Sequence, residues 1–174
     1  MKKLVNCLYL SFAVAVFGIS ALKPALAQDL ITNNYNNNIL IKKVAIYRTL
    51  AKYNSPLVNE VDAFLNACMS YGINCYLLPS ISGVESTFGR FLMPDSHNPF
   101  GWGGGYLYFP SWQVSFLTVA KGLRENYIDN GLTSVEMIGP VYAPPSSTWS
   151  GKVLMFMRVF AQEEAKIPTT LFEI

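Results

Sequence analysis

Within residues 81–91, ISGVESTFGRF, an apolar helical pattern stops at a single carboxylate. Leu77, Leu78, Ile81 and Val84 recur at three- and four-residue spacing, which places them on one face of a short helix. Glu85 follows at the end of that face, and Gly89 lies about one turn further on, where a glycine ends or redirects the chain. A carboxyl beside apolar surface is hard to ionise, and the negative end of a helix dipole makes it harder still. Both effects raise its pKa, as a proton-donating acid at neutral pH requires. A glutamate also serves as a solvated cap on a surface helix, and this segment alone leaves both roles open.

Other stretches repeat the helical pattern. Residues 39–53 carry Leu40, Val44, Tyr47 and Leu50 as an apolar stripe. Asn54-Ser55-Pro56 stops that helix and starts the next, with Ser55 as N-cap and Pro56 at the first helical position. Val58, Val61, Phe64, Leu65 and Cys68 form the second core stripe, and Gly72 ends it. A later helix over residues 112–127 turns Phe116, Val119, Ala120 and Leu123 inward, and Asn130-Gly131 stops it. Thr133 or Ser134 caps a short segment through Ile138, and Tyr142-Ala143-Pro144-Pro145 makes a rigid turn. Ser147 or Thr148 caps a last helix over residues 149–164, with Val153, Phe156, Met157 and Phe160 inward.

The chain begins like an exported protein. Lys2 and Lys3 precede an apolar run over residues 4–22, and Ala25-Leu26-Ala27 offers small residues for cleavage before Gln28. Residues 1–27 read as a signal peptide; a retained membrane anchor is the alternative, because the run is long. Residues 28–38, with TNNYNNN, read as a polar linker, and residues 39–174 as the folded domain. Three of the 13 Lys and Arg residues (Lys2, Lys3 and Lys23) belong to the leader, leaving 10 basic against 11 acidic, or −1. A basic nucleic-acid-binding surface is thereby excluded.

Export makes the cysteines legible. Cys68 and Cys75 remain after the leader and flank a Gly turn, CMSYGINC, at a separation that a disulfide spans. Two unpaired buried thiols are the alternative, less compatible with an oxidising compartment. With one histidine, His97, and no third soft ligand near it, no metal site is expected. No cofactor is expected either.

Residues 93–110, MPDSHNPFGWGGGYLYFP, change texture: three consecutive glycines, three prolines and five aromatics. Such glycines mark tight turns or close backbone approach, and Tyr106, Leu107, Tyr108 and Phe109 suit one short strand of a small hairpin. Flat rings stack on the apolar faces of sugars, and Asn98 beside them offers both a donor and an acceptor. Trp102, Tyr106 and Tyr108 read equally as a ligand surface or as core beneath the loop; Phe100 alone reads as a core plug.

Taken together, Gly83-Val84-Glu85-Ser86-Thr87-Phe88-Gly89 at a helix end and Asn98-Pro99-Phe100-Gly101-Trp102-Gly103 resemble the bacterial cell-wall glucosaminidases of the lysozyme-like superfamily, glycoside hydrolase family 73. Phe109-Pro110-Ser111-Trp112, Gly122-Leu123, Tyr127 and residues 138–142 extend the resemblance across residues 52–160. The resemblance implies a mainly α, lysozyme-like helical domain with a small β-hairpin beside a cleft for glycan strands. It places the catalytic acid on Glu85 and an active-site tyrosine on Tyr142. It places Ser86, Asn98, Phe100 and Gly101 about the cleft, beside the candidate rings Trp102, Tyr106 and Tyr108.

Glycosidases usually flank the scissile bond with two carboxylates. The nearest second candidate is Asp95, while Glu125, Asp129 and Glu136 look like solvated helix residues. The expectation is a single-acid mechanism, in which the substrate's own 2-acetamido group or 6-hydroxyl traps the cationic centre. The expected protein is a secreted or periplasmic monomer acting on peptidoglycan or a related N-acetylglucosamine-containing glycan. It engages a membrane only if the leader stays. Lytic transglycosylation to 1,6-anhydro ends, or glycan binding without catalysis, are the alternatives.

Overall fold

A computed structural model describes residues 24–168 of the chain. The expected leader, residues 1–27, therefore lies outside the described residues except for positions 24–27, which begin a helix. Among the described residues six α-helices follow in order: α1 (Pro24–Lys52), α2 (Val61–Tyr71), α3 (Leu77–Ser86), α4 (Trp112–Asn126), α5 (Val135–Tyr142) and α6 (Trp149–Glu164). Short 3-10 turns at Pro56–Glu60 and Ile128–Asn130 complete the regular structure. No described helix is long and apolar enough to cross a membrane.

The domain is built around α6, which packs against α1, α3 and α5, while α2 lies along α4. The stripes expected for α4 and α6 are inward: Phe116, Val119, Ala120, Leu123, Val153 and Phe160 are sealed from solvent. Two aromatic clusters fill the centre. Phe64 stacks on Phe116 at 4.2 Å and Phe100 meets Phe116 edge-on at 5.2 Å. Phe88 lies 4.6 Å from Tyr53 and 4.8 Å from Phe156. The Cys68 and Cys75 sulfurs stand at disulfide-bonding distance, with Cα atoms 5.0 Å apart, closing the turn after α2. At that turn Gly72 adopts φ 59° and donates its N–H to the Cys68 carbonyl, as a left-handed helix cap requires.

Three expectations are corrected. The helix expected to begin at residue 39 already runs from Pro24, so the polar stretch 28–38 is helical and largely exposed rather than a linker. A helix anchored by its packed half propagates into residues that bury nothing, because each added residue gains a backbone bond. Among the described side chains of α1 the buried apolar residues are Ile41, Ala45, Ile46 and Leu50, whereas Leu40 and Tyr47 are exposed. Two apolar stripes overlap on this helix, and packing against α6 selects one of them.

The expected hairpin is also absent: no strand forms among the described residues. A single backbone bond, Phe109 N–H to the Ser96 carbonyl at 2.9 Å, crosses the loop. Asp95 (φ 56°) and His97 (φ 47°) lie in left-handed conformations, so the segment facing Tyr106, Leu107 and Tyr108 is not extended and offers no ladder.

Candidate active site

Helix α3 ends in a strained turn. Thr87, Phe88 and Gly89 adopt φ of 52°, 57° and 79° in succession, and for threonine, a β-branched residue, this conformation is costly. Phe88 is thereby driven into the core, where its ring lies so close to Gly83 that a Cβ there would meet it at 2.7 Å. The N–H of Phe88 returns to the Ser82 carbonyl at 2.9 Å, and Ser86 closes the turn from inside. The Ser86 hydroxyl accepts from Gly89 N–H at 2.9 Å and faces the Pro99 and Ser82 carbonyls at 2.7 and 3.0 Å. The backbone is thus locked immediately after Glu85.

Ser86 is buried with its hydrogen-bonding capacity used internally, so it does not face a ligand as expected but fixes the turn to the aromatic loop. Asn98 is corrected in the same way. Its side chain is buried, donates to the Trp102 and Leu107 carbonyls at 2.9 and 3.1 Å, and accepts from Trp102 N–H at 3.1 Å. A side-chain amide bonded on both sides is a clamp for the loop, not a sugar contact. Phe100 is fully buried between Phe64 and Phe116, as the core-plug reading holds, and has no surface to offer a glycan.

The remaining residues converge. Gly101, Trp102, Gly103, Gly104, Tyr127 and Tyr142 line a cleft of about 320 Å³, within the range of ligand sites. The Trp102 ring lies 6.3 Å from Tyr127 and 5.7 Å from Tyr142, and its edge packs on the backbone of α4 at Gly122. Glu85 stands at the cleft's edge: a Cβ on Gly101 (φ 63°) would lie 2.8 Å from Glu85 Oε2. The other carboxyl oxygen, Oε1, accepts the indole N–H of Trp149 at 2.6 Å. Trp149 in turn stacks on Tyr142 at 4.7 Å.

Tyr106 and Tyr108 do not join these residues. Both are exposed, so neither belongs to the core, and neither lines the cleft. They stand as free rings on the loop that carries it. Asp95, also exposed, is not among the cleft's lining residues either.

Burial raises the pKa of Glu85 above the usual carboxylate range, opposed by the Trp149 hydrogen bond, which favours the ionised form. By surface area Glu85 is nonetheless an exposed residue, so solvent screens the group and keeps the shift small. Burial also pushes the Tyr142 phenol well above its ordinary value, reinforced by the Glu85 and Tyr127 charges. Tyr142 as a whole is half-buried, while its hydroxyl is turned inward to the Phe100 carbonyl. The site therefore presents an acid able to hold a proton, aromatic walls and a neutral phenol. Among the described residues no group of three His, Cys, Asp or Glu side chains is placed to hold a metal.

A larger groove, about 460 Å³, lies between α1 and α2, walled by Leu40, Val44, Tyr47, Val58 and Val61. The Lys43–Asp62 ion pair at 2.6 Å borders it. Arg48 and Asn59 complete its lining, and no pair of carboxylates stands among these residues.

Trp149 was legible only as a helix start, and Gly122 and Tyr127 only as residues of a helix and through the resemblance. No local spacing ties Trp149 to Glu85, 64 residues away. No protein-family model matches the chain, and no curated protein matches it.

Proposed function

We propose that this chain is an exported glycoside hydrolase of lysozyme-like fold that cleaves the β-1,4 glycan of peptidoglycan, in the manner of an endo-N-acetylglucosaminidase. The observation that carries this reading is a carboxyl with a raised pKa at the edge of an aromatic, glycine-floored cleft, with Tyr142 alongside. Glu85 donates its proton to the glycosidic oxygen as the C1–O bond breaks. The carbonyl oxygen of the substrate's 2-acetamido group bonds to C1 and holds the cationic centre. Water then opens this adduct and returns the proton to Glu85.

Tyr142 serves through its ring, an aromatic wall beside the cationic centre, because its hydroxyl is committed inward to the Phe100 carbonyl at 2.7 Å. The cleft's lining residues add no second carboxylate, which favours substrate assistance over the two-acid plan. Trapping by the 6-hydroxyl instead of the acetamido group gives the transglycosylase outcome from the same acid.

Mass spectrometry of peptidoglycan fragments after digestion tests the reading. Reducing N-acetylglucosamine ends are expected. Reducing muramic ends make the protein a muramidase, anhydro ends a lytic transglycosylase, and intact glycan with a folded protein a binding module.

A further inference from the structure

Trp149 is the first residue of α6 and is buried, yet its one polar atom is aimed at the site. The indole N–H donates to Glu85 Oε1 at 2.6 Å. The ring has little freedom to turn away: Tyr142 stacks on it at 4.7 Å, and its Cε3 lies 3.3 Å from where a Cβ on Gly139 would stand. Glycine at 139 lets α5 approach this closely.

The two oxygens of a protonated carboxyl are not equivalent: one carries the proton and donates, while the other chiefly accepts. An indole N–H is a donor only, so the oxygen it faces takes the accepting role. That assigns the proton to Oε2. Oε2 is the oxygen beside Gly101, where the absence of a side chain leaves an opening to the cleft.

We propose that Trp149 is a positioning residue for the acid, fixing which oxygen of Glu85 carries the proton and directing it past Gly101 into the cleft. This rests on the reading of Glu85 as the glycosidic acid. The bond strengthens once the proton has left, because an ionised acceptor binds a donor more tightly. It therefore stabilises the carboxylate as that group forms. Without it, burial acts unopposed and Glu85 holds its proton to higher pH.

Nitrogen-15 labelling of the indoles gives a readout independent of activity, with three tryptophans to assign. In the parent protein, the Trp149 indole resonance is expected to shift with the same midpoint as the Glu85 carboxyl carbon, and Glu85→Gln should remove that shift. An indole signal that stays flat through the Glu85 titration overturns the proposal without any Trp149 variant. Trp149→Phe keeps a ring on Tyr142 and deletes the N–H. On a peptidoglycan oligomer its kcat should fall about tenfold or more with KM little changed. The alkaline limb of its kcat/KM profile should move to higher pH. A fall in amplitude with the limb in place makes Trp149 merely structural and overturns the proposal. A folded parent that cleaves no glycan overturns the glycosidase reading instead, and the proton-placing bond is then judged by the titration alone.

Discussion

The Tyr142 hydroxyl lies 2.7 Å from the Phe100 carbonyl oxygen, so the last residue of α5 holds the aromatic loop one residue before the glycine that meets Glu85. The same tyrosine stacks on Trp149, which holds Glu85 from the other side. Loop, helix end and acid are thus fixed relative to one another through a single ring.

Tyr142→Phe should separate these roles. The ring remains stacked, while the Phe100 carbonyl loses a partner, at a stability cost of about 1 kcal/mol. Activity should fall further than stability, by tenfold or more, since small displacements at a reacting centre are expensive. Chemical denaturation beside steady-state kinetics measures both. A loss of activity no larger than the loss of folded protein would make Tyr142 a core tie alone.

Gly122→Ala tests the floor of the cleft. Alanine in the interior of an exposed helix usually adds up to ~1 kcal/mol of stability. Here the added Cβ runs into the Trp102 indole, which rests on the backbone of α4. The expected result is weaker glycan binding and altered tryptophan fluorescence, with no gain in stability. A more stable variant with parent-like affinity would mean that Trp102 moves aside freely.

The helices were legible because their apolar spacing is strong. The stripes of α4 and α6, the Ser55 and Ser134 caps and the Gly72 stop all follow from local chemistry. Glu85 and the glycine-rich loop stood out because both break the pattern around them. What stayed hidden depends on contacts distant in sequence. Nothing near Ser86 or Asn98 announces that their polar groups are used up by Pro99, Trp102 and Leu107. Nothing near Trp149 announces Glu85. The missing hairpin follows from left-handed backbone at Asp95 and His97, neither of which is glycine.

Tyr106 and Tyr108 are exposed and carry no core contacts that truncation would cost. Alanine at either position should leave stability within about 0.5 kcal/mol of the parent. If these rings extend the cleft for a longer glycan, the same variants should weaken binding of long oligomers more than short ones. Equal affinity for all lengths would leave the two rings outside the binding surface.

The Cys68–Cys75 link closes a short loop, so it contributes at most about 2.5 kcal/mol through the unfolded chain. Reduction or Cys75→Ser should lower the denaturation midpoint by a corresponding amount without abolishing folding, since Cys68 is packed in the core in its own right. Alkylation of unreduced, denatured protein made in an oxidising compartment is the direct check. Two thiols free to react would rule the bridge out.

In Glu85→Gln, activity and stability should part company. Loss of a general acid costs ~10²–10⁴ in rate, so cleavage should vanish. The amide oxygen can still accept the Trp149 N–H, and the local fold should persist. Burial raises the folded pKa of Glu85, with the Trp149 bond opposing it, so the folded protein binds this proton more tightly than the unfolded chain does. The stability this contributes is fully present below the unfolded value of ~4.3 and is lost as pH rises through the folded pKa. Glutamine is neutral at every pH and escapes that loss. The variant should therefore match its parent near pH ~4 and equal or exceed it near pH ~7. Denaturation of both proteins at those two values gives the comparison. A variant clearly less stable than its parent at neutral pH would assign Glu85 to the structure as a carboxylate, and the acid catalyst would have to be sought elsewhere.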